Sequence, residues 1–325
     1  MKNGNNAIQI SVIVCTYNSD YSKLIKTIDT ILCQKNINLE VIITDDGSEV
    51  NHFDELREYF FRNNFEAFKL TKNSQNEGTV KNCLNGLKIA SGEYVKFISP
   101  GDFFYDEHTF EKLYEFLHNG NYKVAFGKAV YYSVDDKNNV SIHNYGSPRN
   151  TKCYEAQNYD FDIVKKSILI YKDWISGAIL IMKKEVALHY LQLISGKITY
   201  AEDLSVGLIV ADNIKIGFWD DYLIWYEYGS GISTSNSEKW QARLNKDQDE
   251  LWKILNETKT TDSIVKKACK LQSYNKIKQP LIKKFLRTIL EPSLLFYHFK
   301  RSNERPVDIQ SPPNVLLLKK ILDIN

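Results

Sequence analysis

No apolar run in this chain approaches the ~18 residues that a membrane-spanning helix needs. The first residues also lack the basic-then-apolar order of a signal peptide, so neither a span nor a secretion leader is expected. Cysteine is sparse. Its five copies, at 15, 33, 83, 153 and 269, are odd in number, scattered and never arranged as CxxC. That pattern argues against a disulfide framework and fits reduced thiols in a cytoplasmic protein. The six histidines are equally dispersed, with no pair at metal-ligand spacing, which argues against a His/Cys zinc site. Internal repeats and low-complexity tracts are absent too. What is present is an ordinary globular composition, 43% hydrophobic over 325 residues, enough for one large α/β domain with an appendage or for two modest domains.

Charge is unevenly placed. The net charge is +2, yet residues 259–301 carry eleven Lys/Arg against Asp262 and Glu291, which leaves the rest of the chain at −7. A basic tail on a mildly acidic body points to a partner for the tail and away from a nucleic-acid-binding core.

The order of elements is that of a parallel sheet. Ile10 to Cys15 and Val41 to Thr44 are short apolar runs that end abruptly in small and polar residues, as buried parallel strands do when a ligand sits beyond their carboxyl ends. Between them Leu24, Ile25, Ile28, Ile31 and Leu32 step at helical spacing, with Ser19 or Asp20 able to cap the helix. The alternation continues with a strand at Leu39 to Thr44, a helix at His52 to Arg62 and a strand at Ala67 to Leu70. A helix carrying Val80, Cys83, Leu84, Leu87 and Ala90 follows, then a strand at Glu93 to Ile98. Such strand–helix units predict a Rossmann-like sheet, mainly parallel, with right-handed crossovers. A helix at Glu107 to His118 and a strand at Lys123 to Tyr132 come next, then a polar excursion or flexible loop from Ser133 to Tyr159. Further strands are expected at Ile175 to Lys183, Ile214 to Phe218 and Leu223 to Tyr226, with a helix at Asp203 to Ala211. The Gly/Ser-rich stretch Gly229 to Ser235 then divides a body, 1–235, from a helical C-terminal region, 236–325.

Polar groups gather where strands end. Tyr17 and Asn18 follow the first, Asp45-Asp46-Gly47-Ser48 close the second, and Ser99-Pro100-Gly101-Asp102 close the fourth. Carboxylates so placed can accept hydrogen bonds from a base or ribose, or hold a hard divalent cation; alternatively they cap the helices that follow.

Taken together, VIVCTYN (12–18), VIITDDGS (41–48), NEGTVKNCLNGLKIASGEYVKFISPGD (76–102) and Tyr200-Ala201-Glu202-Asp203 resemble the family 2 glycosyltransferases of GT-A fold, over roughly residues 8 to 235. The resemblance implies inverting transfer of a sugar from a nucleotide-sugar, usually UDP-linked, to an acceptor hydroxyl. It also implies a role in bacterial surface-polysaccharide or cell-wall synthesis. Carried over by position, Cys15 and Tyr17 line the nucleobase pocket, Asn18 supports the turn, Asp46 accepts the uracil N–H, and Asp45 bears on the pocket or holds the loop. Gly78 and Lys81 lie near the sugar-phosphate end, where a lysine can offset pyrophosphate charge. Asp203 takes the place of the base, and Glu202 hydrogen-bonds backbone or acceptor. The metal motif departs from the family's Asp-x-Asp-Asp: only Asp102 remains to ligate Mn²⁺ or Mg²⁺ beside the donor phosphates. Trp174 can stack on an acceptor sugar or belong to the core. The Gly229 to Ser235 stretch can act as a lid or as a plain linker.

In the tail, Leu281, Ile282, Phe285, Leu286, Ile289 and Leu290 share one face of a helix, with Lys283, Lys284 and Arg287 off it. A basic amphipathic helix over 276–300 can rest on an anionic membrane, or it can pack on the body or on a second subunit of a homo-oligomer. The expected setting is the cytoplasmic face of the plasma membrane, with a glycan or lipid-linked acceptor. Two rivals stand beside the enzyme. One is an inactive GT-A-like binding or scaffold subunit, favoured by the reduced metal motif. The other is a nucleotidyltransferase, which Cys15 to Asp20 disfavours because no Gly-rich basic loop follows the first strand.

Overall fold

The structure is a computed structural model and describes residues 7–155, 157, 159–229, 237–259, 261–297 and 313–324. It begins with β1 (Ile10–Thr16), α1 (Tyr21–Leu32), β2 (Leu39–Asp45), α2 (Phe53–Arg62), β3 (Phe68–Lys72), α3 (Thr79–Ile89) and β4 (Tyr94–Ile98). β1, β2 and β4 are buried almost throughout, since layers cover both faces of this half of the sheet. α1 buries Leu24, Ile28 and Ile31 on one side, and Asp20 caps its start by accepting the Lys23 amide at 2.9 Å.

The chain continues through β5 (Phe103–Phe104), α4 (Thr109–Asn119), β6 (Val124–Val134) and β7 (Val140–His143). α5 (Phe161–Lys165) runs into a π-helical turn at Lys166–Ile170, followed by β8 (Leu180–Lys183), α6 (Lys184–Ile194), α7 (Ser205–Ala211) and β9 (Ile216–Glu227). Among the described residues these strands form one sheet in the order β3-β2-β1-β4-β8-β6-β9-β5, with β7 on β6. β3, β2, β1 and β4 are parallel. β8 runs antiparallel to both β4 and β6, β6 and β9 are parallel, and β5 is antiparallel to β9. The architecture is the expected GT-A type, with the parallel half carrying β1, β2 and β4.

Three local expectations need correction. The excursion at 133–159 is partly ordered as β7, which pairs antiparallel with Tyr131–Val134; its half-exposed residues hide the strand from a hydrophobicity reading. The apolar stretch from Ile175 is a strand only from Leu180, because a 3₁₀ turn at Gly177–Ile179 precedes it. The two strands expected at 214–226 are one, β9. Its register shifts opposite Gly127, so that Trp219 to Asp221 form a bulge, and Asp220 pairs with Lys128 at 2.9 Å.

The C-terminal region contains α8 (Glu238–Thr258), α9 (Ser263–Ser273), α10 (Pro280–Leu290) and a last helix, Val315–Leu322. α8 and α9 contribute Leu251, Trp252, Ile254, Leu255, Ile264, Val265, Ala268 and Leu271 to the core that the sheet also shares. Asp262 caps α9 and pairs with the buried Lys165 of α5. Leu318 of the last helix closes a second cluster with Phe103, Tyr132, Tyr222 and Trp225. α10 behaves differently. Its Arg287 turns inward to the Leu271 carbonyl at 3.1 Å, while Leu281, Phe285 and Ile289 are 82%, 64% and 62% exposed. No described helix is long and apolar enough to cross a membrane.

Candidate active site

A cavity of about 470 Å³ opens at the carboxyl ends of β1, β2 and β4. On one side it is lined by Cys15, Thr16 and Tyr17 from the end of β1, by Asp46 after β2, and by Thr79, Asn82 and Cys83 of α3. The buried Asn82 fixes the strand ends: its amide donates to the Thr16 and Thr44 carbonyls at 3.3 and 3.1 Å, and its oxygen accepts from the Thr44 hydroxyl at 2.8 Å. Tyr17 stands half exposed at the rim. Asp46 is buried and receives the Asn73 amide and the backbone N–H groups of Glu77 and Gly78 at 2.8–2.9 Å. Gly78 has φ +91°, and a Cβ there would lie 2.4 Å from Thr199 Cγ2, so glycine is what lets this loop pass. The thiols of Cys15 and Cys83 are 3.4 Å apart. That contact, together with burial, holds the Cys83 thiol well above the ordinary thiol range.

The opposite side is acidic. Glu202 and Asp203 occupy a 3₁₀ turn that leads into α7 and line the cavity with Tyr200 and Ala201. The Gly177 N–H donates to Asp203 Oδ2 at 3.2 Å. Burial pushes both carboxyls up from their ordinary values, and the charge of Asp203 raises Glu202 further. Between the two sides, Asp102 reaches in from the turn after β4, and burial moves it up to about 7. Its Oδ1 accepts the Glu227 amide at 3.4 Å, and Glu227 itself pairs with Lys23 at 2.6 Å.

Beneath the acids lies Lys96 of β4, fully buried, which escapes a motif reading of the sequence. Its ammonium donates to the Ala178 carbonyl at 2.7 Å and to the Phe97 carbonyl. Burial lowers its pKa to about 8, opposed by the charges of Asp102 and Glu202. A lone lysine inside an otherwise apolar strand was the signal that could have found it.

Not every candidate residue reaches the cavity. Asn18 (φ 46°) braces the β1–α1 turn, its N–H on Ser48 Oγ at 2.7 Å. Asp45 holds the same turn, accepting from Thr16 Oγ1 and from the amide and hydroxyl of Ser48 at 2.6–3.0 Å. Gly78 shapes the wall through its backbone. The Lys81 ammonium sits on Glu77 at 2.7 Å, one turn back and outside the lining. Trp174 packs against Gly207 of α7 in the core and does not line the cavity. Residues 230–235 of the lid-or-linker stretch lie outside the described residues.

The family model described as Glycosyl transferase family 2 matches residues 11–175, which span both the strand-end motifs and the turn carrying Asp102. The chain belongs to glycosyltransferase family 2. Among curated relatives, glycosyltransferase GlyG of Streptococcus pneumoniae serotype 4 is 29% identical over 129 residues, 40% of this chain and 42% of that protein. Polypeptide N-acetylgalactosaminyltransferase 11 of Xenopus tropicalis is 31% identical over 91 residues, 27% of this chain and 15% of that protein. The matched stretch thus spans less than half the length of these curated relatives. A crystal structure of S. aureus TarS 1–349 in complex with UDP-GlcNAc superposes with a TM-score of 0.50 and 16% identity, covering 89% of this chain and 92% of that one. It shares the fold.

Proposed function

We propose that this family 2 chain transfers a sugar, with inversion, from a UDP-linked donor to an acceptor hydroxyl. One observation carries this: Tyr17 and Asp46 at the strand ends and the Glu202–Asp203 pair line the same cavity. Tyr17 and the end of β1 receive the base, and Asp46 accepts from it while retaining its loop contacts, since a carboxylate has about four acceptor positions. Asp203 takes the proton from the acceptor hydroxyl as that oxygen bonds to the anomeric carbon. The bond from that carbon to the β-phosphate oxygen breaks, and UDP leaves with its electron pair. Burial raises its proton affinity, which makes Asp203 a stronger base than a solvated carboxylate.

Among the described residues no three His, Cys, Asp or Glu side chains converge as a metal cage. Asp102 supplies one hard oxygen ligand facing the cavity, which fits a cation completed by donor phosphates and water. Bound there, Mn²⁺ or Mg²⁺ would offset the charge of the departing diphosphate. UDP-GlcNAc, the ligand of the TarS structure, is the first donor to assay. Asp203→Asn is expected to keep UDP affinity and lose about 10²–10⁴-fold in turnover, and EDTA is expected to suppress the wild type. Unchanged turnover in the variant sinks the role of Asp203. A wild type that binds UDP yet turns over no UDP-sugar with either metal favours the inactive binding subunit, which the single Asp102 otherwise supports.

The acceptor proposed is a lipid-linked oligosaccharide of bacterial surface polysaccharide, met at the inner face of the plasma membrane. Support comes from α10, whose exposed Leu281, Phe285 and Ile289 lie beside Lys283 and Lys284. Such a face matches the interface of an anionic bilayer. The division near residue 235 accordingly sets off a helical region, 236–325, in which α10 is the partner-seeking element while α8 and α9 pack onto the catalytic body. Flotation with phosphatidylglycerol vesicles, abolished in Leu281→Asp/Phe285→Asp/Ile289→Asp, is the expected result. Equal flotation of both proteins refutes the membrane contact, and a wild-type dimer lost in the variant assigns the face to a second copy.

A further inference from the structure

The segment that presents the two acids is gripped from outside the matched family region, by α8. Asp247 is buried, and its carboxylate accepts three successive backbone N–H groups, from Thr199 at 2.9 Å, Tyr200 at 2.6 Å and Ala201 at 3.1 Å. No lysine or arginine pairs with it among the described residues. Arg243, one turn earlier on α8, lies instead over the rings of Trp240 and Tyr200, at 4.7 and 5.2 Å, while those two rings meet edge to face at 5.1 Å. Leu244 of the same helix lines the cavity. A buried carboxylate compensated only by amides is costly to desolvate, and its charge-assisted bonds fix the donors tightly.

Thr199 connects this clamp to the nucleotide side. Its carbonyl accepts the Val80 N–H at 3.0 Å, and its side chain packs where a Gly78 Cβ would stand, on the loop that Asp46 holds. Resting on the transferase function proposed above, we propose that Asp247 is a positioning residue for the acid pair. By docking α8 on Thr199–Ala201 it sets where Tyr200, Glu202 and Asp203 stand, and through Thr199 it keeps them in register with the nucleotide-side loop. Misplacement of a reacting group by about 1 Å can cost about 10²-fold, so the clamp acts on rate more than on donor binding.

The test uses full-length Asp247→Asn, which keeps the shape but turns an NH₂ donor toward the Thr199–Ala201 amides. Expected are a fall in kcat of about 10–100-fold, donor KM and UDP affinity within about threefold, and faster hydrogen exchange confined to residues 199–203. Ile264→Val, in the core beneath α8, serves as the stability control and should not show that split. Unchanged kcat, a parallel loss of kcat and UDP affinity, or unchanged exchange at 199–203 overturns the proposal. If Asp247→Asn does not fold, Trp240→Leu/Arg243→Leu loosens Tyr200 from the helix surface, and an unchanged kcat there overturns it equally. A wild type inactive on every UDP-sugar would refute the transferase function instead, leaving exchange at 199–203 to decide whether Asp247 holds the segment.

Discussion

Lys96 brings a positive charge into the middle of an apolar strand, near Asp102 and Glu202, two carboxyls whose own charges burial disfavours. Two carbonyl acceptors hold its ammonium, and one of them, Ala178, belongs to the turn whose Gly177 amide meets Asp203. Replacing it with methionine should lower turnover at pH 7 by about tenfold or more, because Asp102 and Glu202 then lose the cation that favours their ionised forms. Stability carries a second signature. The folded pKa of Lys96 is about 8 against 10.5 for the free group, so the unfolded chain holds this proton more tightly. Lys96 therefore makes the wild type gain stability as pH rises from about 8 to 10.5, and the gain is absent in Lys96→Met. Melting temperatures of both proteins from pH 7 to 10, run in parallel, check it: superimposable slopes mean that Lys96 keeps its proton. At this scale the sequence was legible where chemistry coincides with a motif. Asp46, Asp102, Glu202 and Asp203 all line the cavity from their strand-end or helix-start positions. Lys81 and Trp174 do not, because spacing along a helix or strand does not say which way a side chain leans once Glu77 or α7 offers a nearer partner.

The turn at Gly177–Ile179 is the element on which the two acids converge. A Cβ on Gly177 would lie 2.3 Å from Glu202 Oε1 and 3.2 Å from the Asp203 Cβ. Gly177→Ala should accordingly push the acid pair out of place while leaving the β1 and β2 ends untouched. Expected is a fall in turnover smaller than the about 10²-fold of a 1 Å displacement, because the Glu202 carboxylate can swing aside and Asp203 has to yield by only a few tenths of an ångström, with UDP affinity preserved. Isothermal titration with UDP alongside a turnover assay separates the two, and loss of UDP binding would place Gly177 in the nucleotide site instead. Sequence periodicity does not separate this turn from the strand, since Ala178 to Met182 is one unbroken apolar run; Ser176-Gly177 is the only local turn signal. The parallel half is easier to read, because both faces of β1, β2 and β4 are covered and the strands are apolar but for Ser11, Glu40, Lys96 and their polar ends. β9 looked like two strands because its bulge puts Trp219, Asp220 and Asp221 in the middle of the apolar pattern. α6 has no boundary that the sequence marks, because Lys184 follows β8 with no intervening loop.

On the scale of the whole molecule, the helical C-terminal region takes part in the fold in two distinct ways. α8 and α9 insert Leu251, Leu255, Val265 and Ala268 into the core of the sheet, and α8 delivers Asp247 to the acid-bearing segment. α10 leaves its apolar face outside. Nothing in a run of amphipathic helices announces that difference, because the partners of α8 lie 46–48 residues away in sequence and a helical pattern says only that some face is covered. The two halves of the tail should therefore respond oppositely to removal. A fragment ending at residue 235 uncovers the side chains that pack on Leu251, Trp252 and Leu255, each worth about 1.5–3 kcal/mol when fully buried, and leaves the Thr199–Ala201 amides without their acceptor. Since a domain's whole stability is about 5–15 kcal/mol, that fragment should show no cooperative thermal transition. Full-length Leu281→Asp/Phe285→Asp/Ile289→Asp, in contrast, changes only exposed positions and should melt within about 2 °C of the wild type with UDP binding retained. Calorimetry of the two proteins side by side decides the matter. A cooperative transition in the fragment would make 1–235 an independent folding unit, and a large destabilisation in the triple variant would mean that the α10 face is covered in solution.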